Sequence, residues 1–304
     1  MKKLNFCIPI AVVGVLLSIT ACGGSREIDM TVNVVAVTNV YASIAKEIAG
    51  SKAKVTSIIN SSSQDPHAFE ASARTRLDLL KADLVIENGG GYDDFVDKLL
   101  GSRTGSSVIV LNVVNLSENS NSQHSPDFNE HLWFDLAAIR TLANALQTEL
   151  SRLDPANAEE FAVNTKSFLG QLDEMQTRVA SIQASNHGLS ILSTEPVSER
   201  LTEAMGFREA MPKEVGRLME EGYGIPLRAI RKLYAELDEH RVAALVINAQ
   251  IGGAGEQSLI DRAERNQIPV IEVGELIPDQ FSGYLDWMSN TIAQFDRLVQ
   301  EPGK

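Results

Sequence analysis

Between residues 158 and 184 the chain carries one uninterrupted helical stripe. Phe161, Phe168, Leu172, Met175, Val179 and Ile182 recur at spacings of 7, 4, 3, 4 and 3 residues, with no strand-like run among them. At 1.5 Å per residue such a helix is a rod of roughly 40 Å with one apolar face. Asp154-Pro155 marks its start and Asn186-His187-Gly188 its end. A rod of this length cannot sit inside a small layered unit, so it divides whatever precedes it from whatever follows.

What flanks the rod alternates between two periodicities. Before it, residues 32–38, 55–59, 82–87 and 108–114 are short β-branched or apolar runs. They are separated by helical patterns at 39–50, 72–81 and 92–100, and a further helical pattern follows at 136–150. After it, strand-like runs at 189–193, 242–248 and 268–273 alternate with helical patterns at 197–205, 227–240, 257–266 and 284–299. Nearly continuous apolar strands joined by helices predict parallel sheets covered on both faces. Segment 208–224, broken by Pro212, Gly222 and Gly224, fits neither pattern, and the polar, low-complexity stretch around 117–126 reads as a loop. The predicted fold is α/β: two lobes with parallel sheets flanked by helices, at 31–153 and 187–304, bridged by one long rigid helix at 154–186.

Composition excludes several functions. A net charge of −13 argues against nucleic acid, which needs clustered Lys and Arg. The two cysteines, Cys7 and Cys22, both fall in the first 22 residues, so neither a disulfide framework nor a cysteine-based zinc site is available to the body. Lys2-Lys3 followed by an apolar run to Thr20 is the layout of an export signal at 1–21, and 22–30 is a polar tether. Ile19-Thr20-Ala21-Cys22 resembles the lipobox of bacterial lipoproteins, which implies cleavage before Cys22 and lipid on its sulfur. The expected location is therefore the extracytoplasmic face of the cell membrane.

Three loops carry chemistry. His67 follows Asp65-Pro66 in a turn-rich segment after the strand at 55–59. A neutral imidazole on a proline-stiffened loop suits Zn²⁺ or Mn²⁺, and a surface histidine in a turn reads equally well from this motif alone. His131 stands beside Trp133 and Phe134 and is therefore part-buried, either as a ligand or as a histidine hydrogen-bonded for structural reasons. Asp135 can cap the helix that follows, or Asp135 or Glu130 can orient the ring. Glu195, between a strand end and Pro196, can face an interlobe cleft or sit at a helix start, where the dipole favours a carboxylate.

Together these segments resemble the solute-binding lipoproteins that serve bacterial ATP-driven (ABC) importers of zinc, manganese or iron. Asp65-Pro66-His67-Ala68-Phe69-Glu70 is similar to that family's first histidine loop, and Asn129-Glu130-His131-Leu132-Trp133-Phe134-Asp135 to its second, with Asn129-Glu130 where Asp-Pro is usual. Ser193-Thr194-Glu195-Pro196 is similar to members whose third ligand is Glu, and Val246-Ile247-Asn248-Ala249-Gln250 to the strand and turn before the last segment. The resemblance implies a metal site of His67, His131 and Glu195, with a fourth carboxylate from the loop after residue 273: Glu275, or Asp279 as runner-up. It implies Zn²⁺ or Mn²⁺ as cargo, an ABC permease and its ATPase as partners, a monomer, and no enzymatic activity. His124 can lend a transient imidazole or be a solvated loop residue; His187 and His240 read as structural. Two other readings remain. A metal-dependent hydrolase would use the same donors to activate water, although no H-E-x-x-H spacing occurs. An adhesin-type lipoprotein would hold a structural metal.

Overall fold

The computed structural model describes residues 31–300 apart from 62, 63, 65, 102–107, 124, 126, 127 and 251. The expected export signal, tether and Cys22, together with Asp65 and His124, lie outside the described residues. The first half runs β1 (Val32–Thr38), α1 (Asn39–Ala49), β2 (Ala53–Ile59), α2 (Ala73–Leu80), β3 (Leu84–Glu87), α3 (Phe95–Leu100), β4 (Ile109–Asn112) and the single-turn α4 (Val113–Leu116). Then come α5 (Leu136–Leu153) and the 28-residue α6 (Ala158–Ser185). The second half runs β5 (Ser190–Ser193), α7 (Glu199–Ala204), β6 (Arg208–Glu209), α8 (Lys213–Glu220), α9 (Leu227–Asp238), β7 (Leu245–Asn248), α10 (Ala254–Arg265), β8 (Val270–Val273) and α11 (Tyr284–Gln300).

The strands form two four-stranded sheets in the orders β2-β1-β3-β4 and β6-β5-β7-β8, parallel throughout. Each is buried on both faces, which is why its central strands read as unbroken apolar runs. In β1, Val34 and Ala36 point into one core while Val35 and Val37 point into another. In β7, Val246 faces the first of these cores and Leu245 and Ile247 a third. The period-two alternation of a strand thus feeds two apolar layers at once.

One of those layers is continuous from the first sheet to the second. It takes in Val34 and Ile86 on one side, Val246 and Ile271 on the other, and helices α1, α5, α6 and α11 between them. All six residues of the α6 stripe belong to it. The polar side of α6 adds ties: Arg178 donates to Asp296 of α11 through Nε and Nη2 at 3.0 and 2.9 Å, and Asn164 Nδ2 donates to the Ile48 carbonyl at 3.1 Å. At its end, Asn186 Oδ1 accepts from the amides of Gly188 and Leu189 at 3.1 and 2.9 Å.

Several boundaries differ from the periodicity reading, each for a local reason. The strand expected at 108–114 stops at Asn112, whose side chain accepts the Asn115 amide at 2.9 Å and starts α4. The helix expected from residue 92 starts at Phe95, because Gly89, Gly90 and Gly91 all take positive φ and Asp93 clamps the amides of Asn88 and Gly89 at 2.6 and 2.8 Å. Segment 208–224 contains the edge strand β6 and then α8, which begins after Pro212 and ends before Gly222. His240, expected in the last turn of a helix, lies past the end of α9 with φ 49° and Nε2 at 3.0 Å from the Asn266 carbonyl.

The continuous core predicts that trimming α6 weakens the whole body. Phe168 is buried and stacks on Tyr284 of α11 at 6.4 Å. Phe168→Ala should cost about 3–5 kcal/mol, read from urea unfolding of the metal-free protein.

Candidate metal centre

The loops at the carboxyl ends of the parallel strands supply most of this centre, as is usual for open α/β sheets. His67 lies on the loop after β2, Tyr92 after β3, Glu195 after β5, Asn248 at the end of β7 and Glu275 two residues beyond β8. His131 arrives differently, on the residue before a 3₁₀ turn at Leu132–Phe134. That turn is fixed by burial: Trp133 is fully enclosed and its carbonyl accepts from Tyr284 Oη at 2.8 Å. Asp135 then caps α5, its Oδ1 accepting from the amides of Ala137 and Ala138 at 3.0 and 3.1 Å. The residue that orients the His131 ring is Asn129. Its Oδ1 stands 2.9 Å from His131 Nδ1 and also accepts the His131 amide at 2.9 Å. Its Nδ2 donates to the Pro196 carbonyl at 2.8 Å and to Glu199 Oε2 at 3.0 Å. With a proton held on Nδ1, the lone pair is on Nε2, the tautomer a metal requires.

Glu275 is fully buried. Its Oε2 accepts from Tyr92 Oη at 3.0 Å and lies 3.4 Å from His67 Nε2, while Oε1 accepts from Asn248 Nδ2 at 3.2 Å. Gln250 Oε1 holds the backbone of the same loop, accepting the amides of Glu275 and Leu276 at 2.5 and 2.9 Å. Burial alone would raise the Glu275 pKa, but the bond to His67 and the two imidazoles win and hold it below the ordinary carboxylate range. For His67, burial acts to lower the pKa, and the bond and charge of Glu275 override it, raising the ring to about 9. His131, enclosed by protein, is pushed down by desolvation.

The donor atoms of His67, His131 and Glu275 all lie within 4.8 Å of one another. In a tetrahedral shell with bonds of about 2.0–2.1 Å, neighbouring donors are roughly 3.3–3.4 Å apart. The 3.4 Å between His67 Nε2 and Glu275 Oε2 matches that edge. His131 Nε2 is buried and has no hydrogen-bond partner among the described residues. Such an atom is costly to bury unless something binds it. Two imidazole nitrogens and a carboxylate are a donor set that divalent zinc and manganese both accept. His67 meets Tyr92 edge-on (5.3 Å between centroids) but stays exposed, whereas His131, edge-on to Trp133 at 5.0 Å, is enclosed.

Of the other residues the sequence pointed to, Glu195 is buried but lies outside this group of converging donors. Its Oε2 accepts from Asn248 Nδ2 at 2.8 Å, so one amide bridges it to Glu275, and burial raises its pKa to about 7. Asp279 is exposed and also lies outside it. His187 is exposed. Sequence reasoning missed Glu220, the last residue of α8. Its Oε1 stands 3.3 Å from His131 Nε2 without aligning as a hydrogen bond, and burial followed by the charge of Glu130 raises its pKa to about 8. Nothing local marked it, because segment 208–224 showed no clear periodicity.

Residues 34–297 match the family profile described as zinc-uptake complex component A, periplasmic. The manganese-binding lipoprotein MntA of Bacillus subtilis is 23% identical over 280 residues, covering 88% of this chain and 89% of its own. The manganese ABC transporter substrate-binding lipoprotein PsaA of Streptococcus pneumoniae is 26% identical over 275 residues, covering 83% of each. Among solved structures, the periplasmic zinc binding protein TroA of Treponema pallidum superposes with a TM-score of 0.71 at 19% identity, covering 88% of this chain and 99% of its own.

Asn129→Ala should lower affinity for Zn²⁺ or Mn²⁺ about 10–100-fold in competition titrations, because the His131 ring loses its orienting acceptor while Nε2 itself stays.

Proposed function

Because the chain belongs to the family of zinc-uptake complex component A, periplasmic, we propose that it is the extracytoplasmic substrate-binding lipoprotein of an ATP-driven metal importer. It captures a divalent transition metal, Zn²⁺ or Mn²⁺, and passes it to the permease. One observation carries this reading: the enclosed Nε2 of His131, with its tautomer set by Asn129, converges with His67 and Glu275 from distant parts of the chain. The ligand set is His67, His131 and Glu275, with Glu195 as the fourth donor once Asn248 releases its Oε2. Two imidazoles and carboxylates do not by themselves select between zinc and manganese, since intrinsic affinity favours zinc and selectivity rests on geometry and metal supply. The curated relatives are named for manganese in two cases and the solved one for zinc.

Lipid on Cys22 tethers the chain to the outer face of the cell membrane as a monomer. The partners are an ABC permease and its ATPase. No catalytic step is assigned, because the relatives bear the names of binding proteins. Capture joins loops of both lobes through one ion. Docking on the permease draws those loops apart and frees it, while α6 and its continuous core keep the change local.

Metal analysis of untagged protein purified without added metal should find close to one equivalent of zinc or manganese. His67→Ala and His131→Ala should each weaken binding by at least about 100-fold; a double variant that still binds like the parent sinks the site. Chelation should leave a folded protein of lower melting temperature, since ligand at 100 times its dissociation constant stabilises by about 2.7 kcal/mol. Unfolding on chelation would instead indicate a structural metal.

A further inference from the structure

Glu220 needs a reason to be where it is. It closes α8, and a carboxylate at a helix C-terminus is disfavoured by the macrodipole. Its side chain is only 11% exposed, and its Oε1 has no hydrogen-bond partner among the described residues. Its Oε1 lies 3.3 Å from His131 Nε2, the enclosed ring atom of the metal centre, which likewise has no hydrogen-bond partner among the described residues. It also joins a second group of converging donors: single atoms of His67, Glu130 and Glu220 lie within 4.8 Å of one another. The two groups share His67. Both Glu130 and Glu220 line a cavity of about 520 Å³ whose wall also carries Glu195, Glu199, Glu209 and Glu214 against two cations, Lys213 and Arg217.

We propose that His67, Glu130 and Glu220 form a receiving subsite for the divalent cation, sharing the single ligand His67 with the His67, His131 and Glu275 site. The inference rests on the metal-capture reading above. A cation drawn into the acidic cavity is first held by the two carboxylates and His67. It keeps His67 while His131 and Glu275 replace Glu130 and Glu220. Retaining one ligand through the exchange means that the ion is never returned to water part-way, so the barrier falls in both directions. Glu220 stands against His131 Nε2 because it delivers the ion to that atom. Gly222 and Gly224, with φ of 78° and 70°, follow within four residues and turn the chain away just after Glu220.

The test is stopped-flow capture of Zn²⁺ and of Mn²⁺ by the metal-free full chain, with release measured by chelator chase. Glu220→Gln and Glu130→Gln keep size and shape and come from different elements. Each should slow capture and release together, by about tenfold, and weaken equilibrium affinity far less than Glu275→Gln does. Glu214→Gln removes the same charge from the same cavity wall but belongs to neither group, and should change the rates less than about twofold. Equal slowing by Glu214→Gln would reduce the effect to general attraction by negative charge and overturn the subsite. Unchanged rates in both Glu220→Gln and Glu130→Gln overturn it too. A loss of affinity in Glu220→Gln as deep as in Glu275→Gln would make Glu220 a ligand of the final site, again overturning the proposal. If the parent protein binds neither metal, the failure belongs to the metal-capture reading instead.

Discussion

Glu275 is a carboxylate with no access to water, and the arrangement around it follows from the need to stabilise that charge. An isolated buried carboxylate costs several kcal/mol or more, so it must be hydrogen-bonded or paired. Here the partners come from separate places: Tyr92 after β3, His67 after β2 and Asn248 at the end of β7. The first two belong to the first sheet and the third to the second. Satisfying one charge therefore draws together loops from both sheets. The second-sheet loop that bears it is pinned twice, by Gln250 on the backbone of Glu275 and Leu276 and by reciprocal bonds of 2.9 Å between Asn39 and Ile277.

A second requirement is that the imidazoles present nitrogen lone pairs rather than protons. Asn129 achieves this at His131, and its amide end is tied to Pro196 and Glu199, so the ring angle depends on the segment just after Glu195. Asn88 connects the same loop to the first sheet, donating to the Glu130 carbonyl at 2.9 Å while bonding Tyr41. Carboxyl groups crowd these rings: Glu195 and Glu220 as well as Glu275 are removed from water, and burial raises the first two to about 7 and about 8, so a cation would compete with protons for them. Mechanical freedom is unevenly distributed. The core through α1, α5, α6 and α11 is continuous across both sheets, whereas α8 is bounded by Pro212 and by glycines in the left-handed region.

The order of strands and helices, the length of α6 and the two histidine loops were legible in the amino-acid sequence, because each depends on residues close together along the chain. Apolar period two or 3.6, a proline before His67, and Trp133-Phe134 beside His131 are local signals with local causes. Glu275 was reachable as the carboxylate just after the last strand. The role of Asn129 was not: it stood out only as a departure from an Asp-Pro pattern, yet its side chain ties together two segments 67 residues apart.

Only tertiary structure decided which carboxylates meet the imidazoles. Glu195 carries a convincing strand-end setting, but Asn248 takes one of its oxygens. Glu220 had no setting at all, and it comes to 3.3 Å from His131 because α8 folds over the cavity. The sequence by itself determined the elements and the types of donor, since backbone propensity and apolar spacing act over a few residues. Which donors share one point in space depends on how two sheets and a short helix pack, and that is set by contacts between residues far apart in the chain.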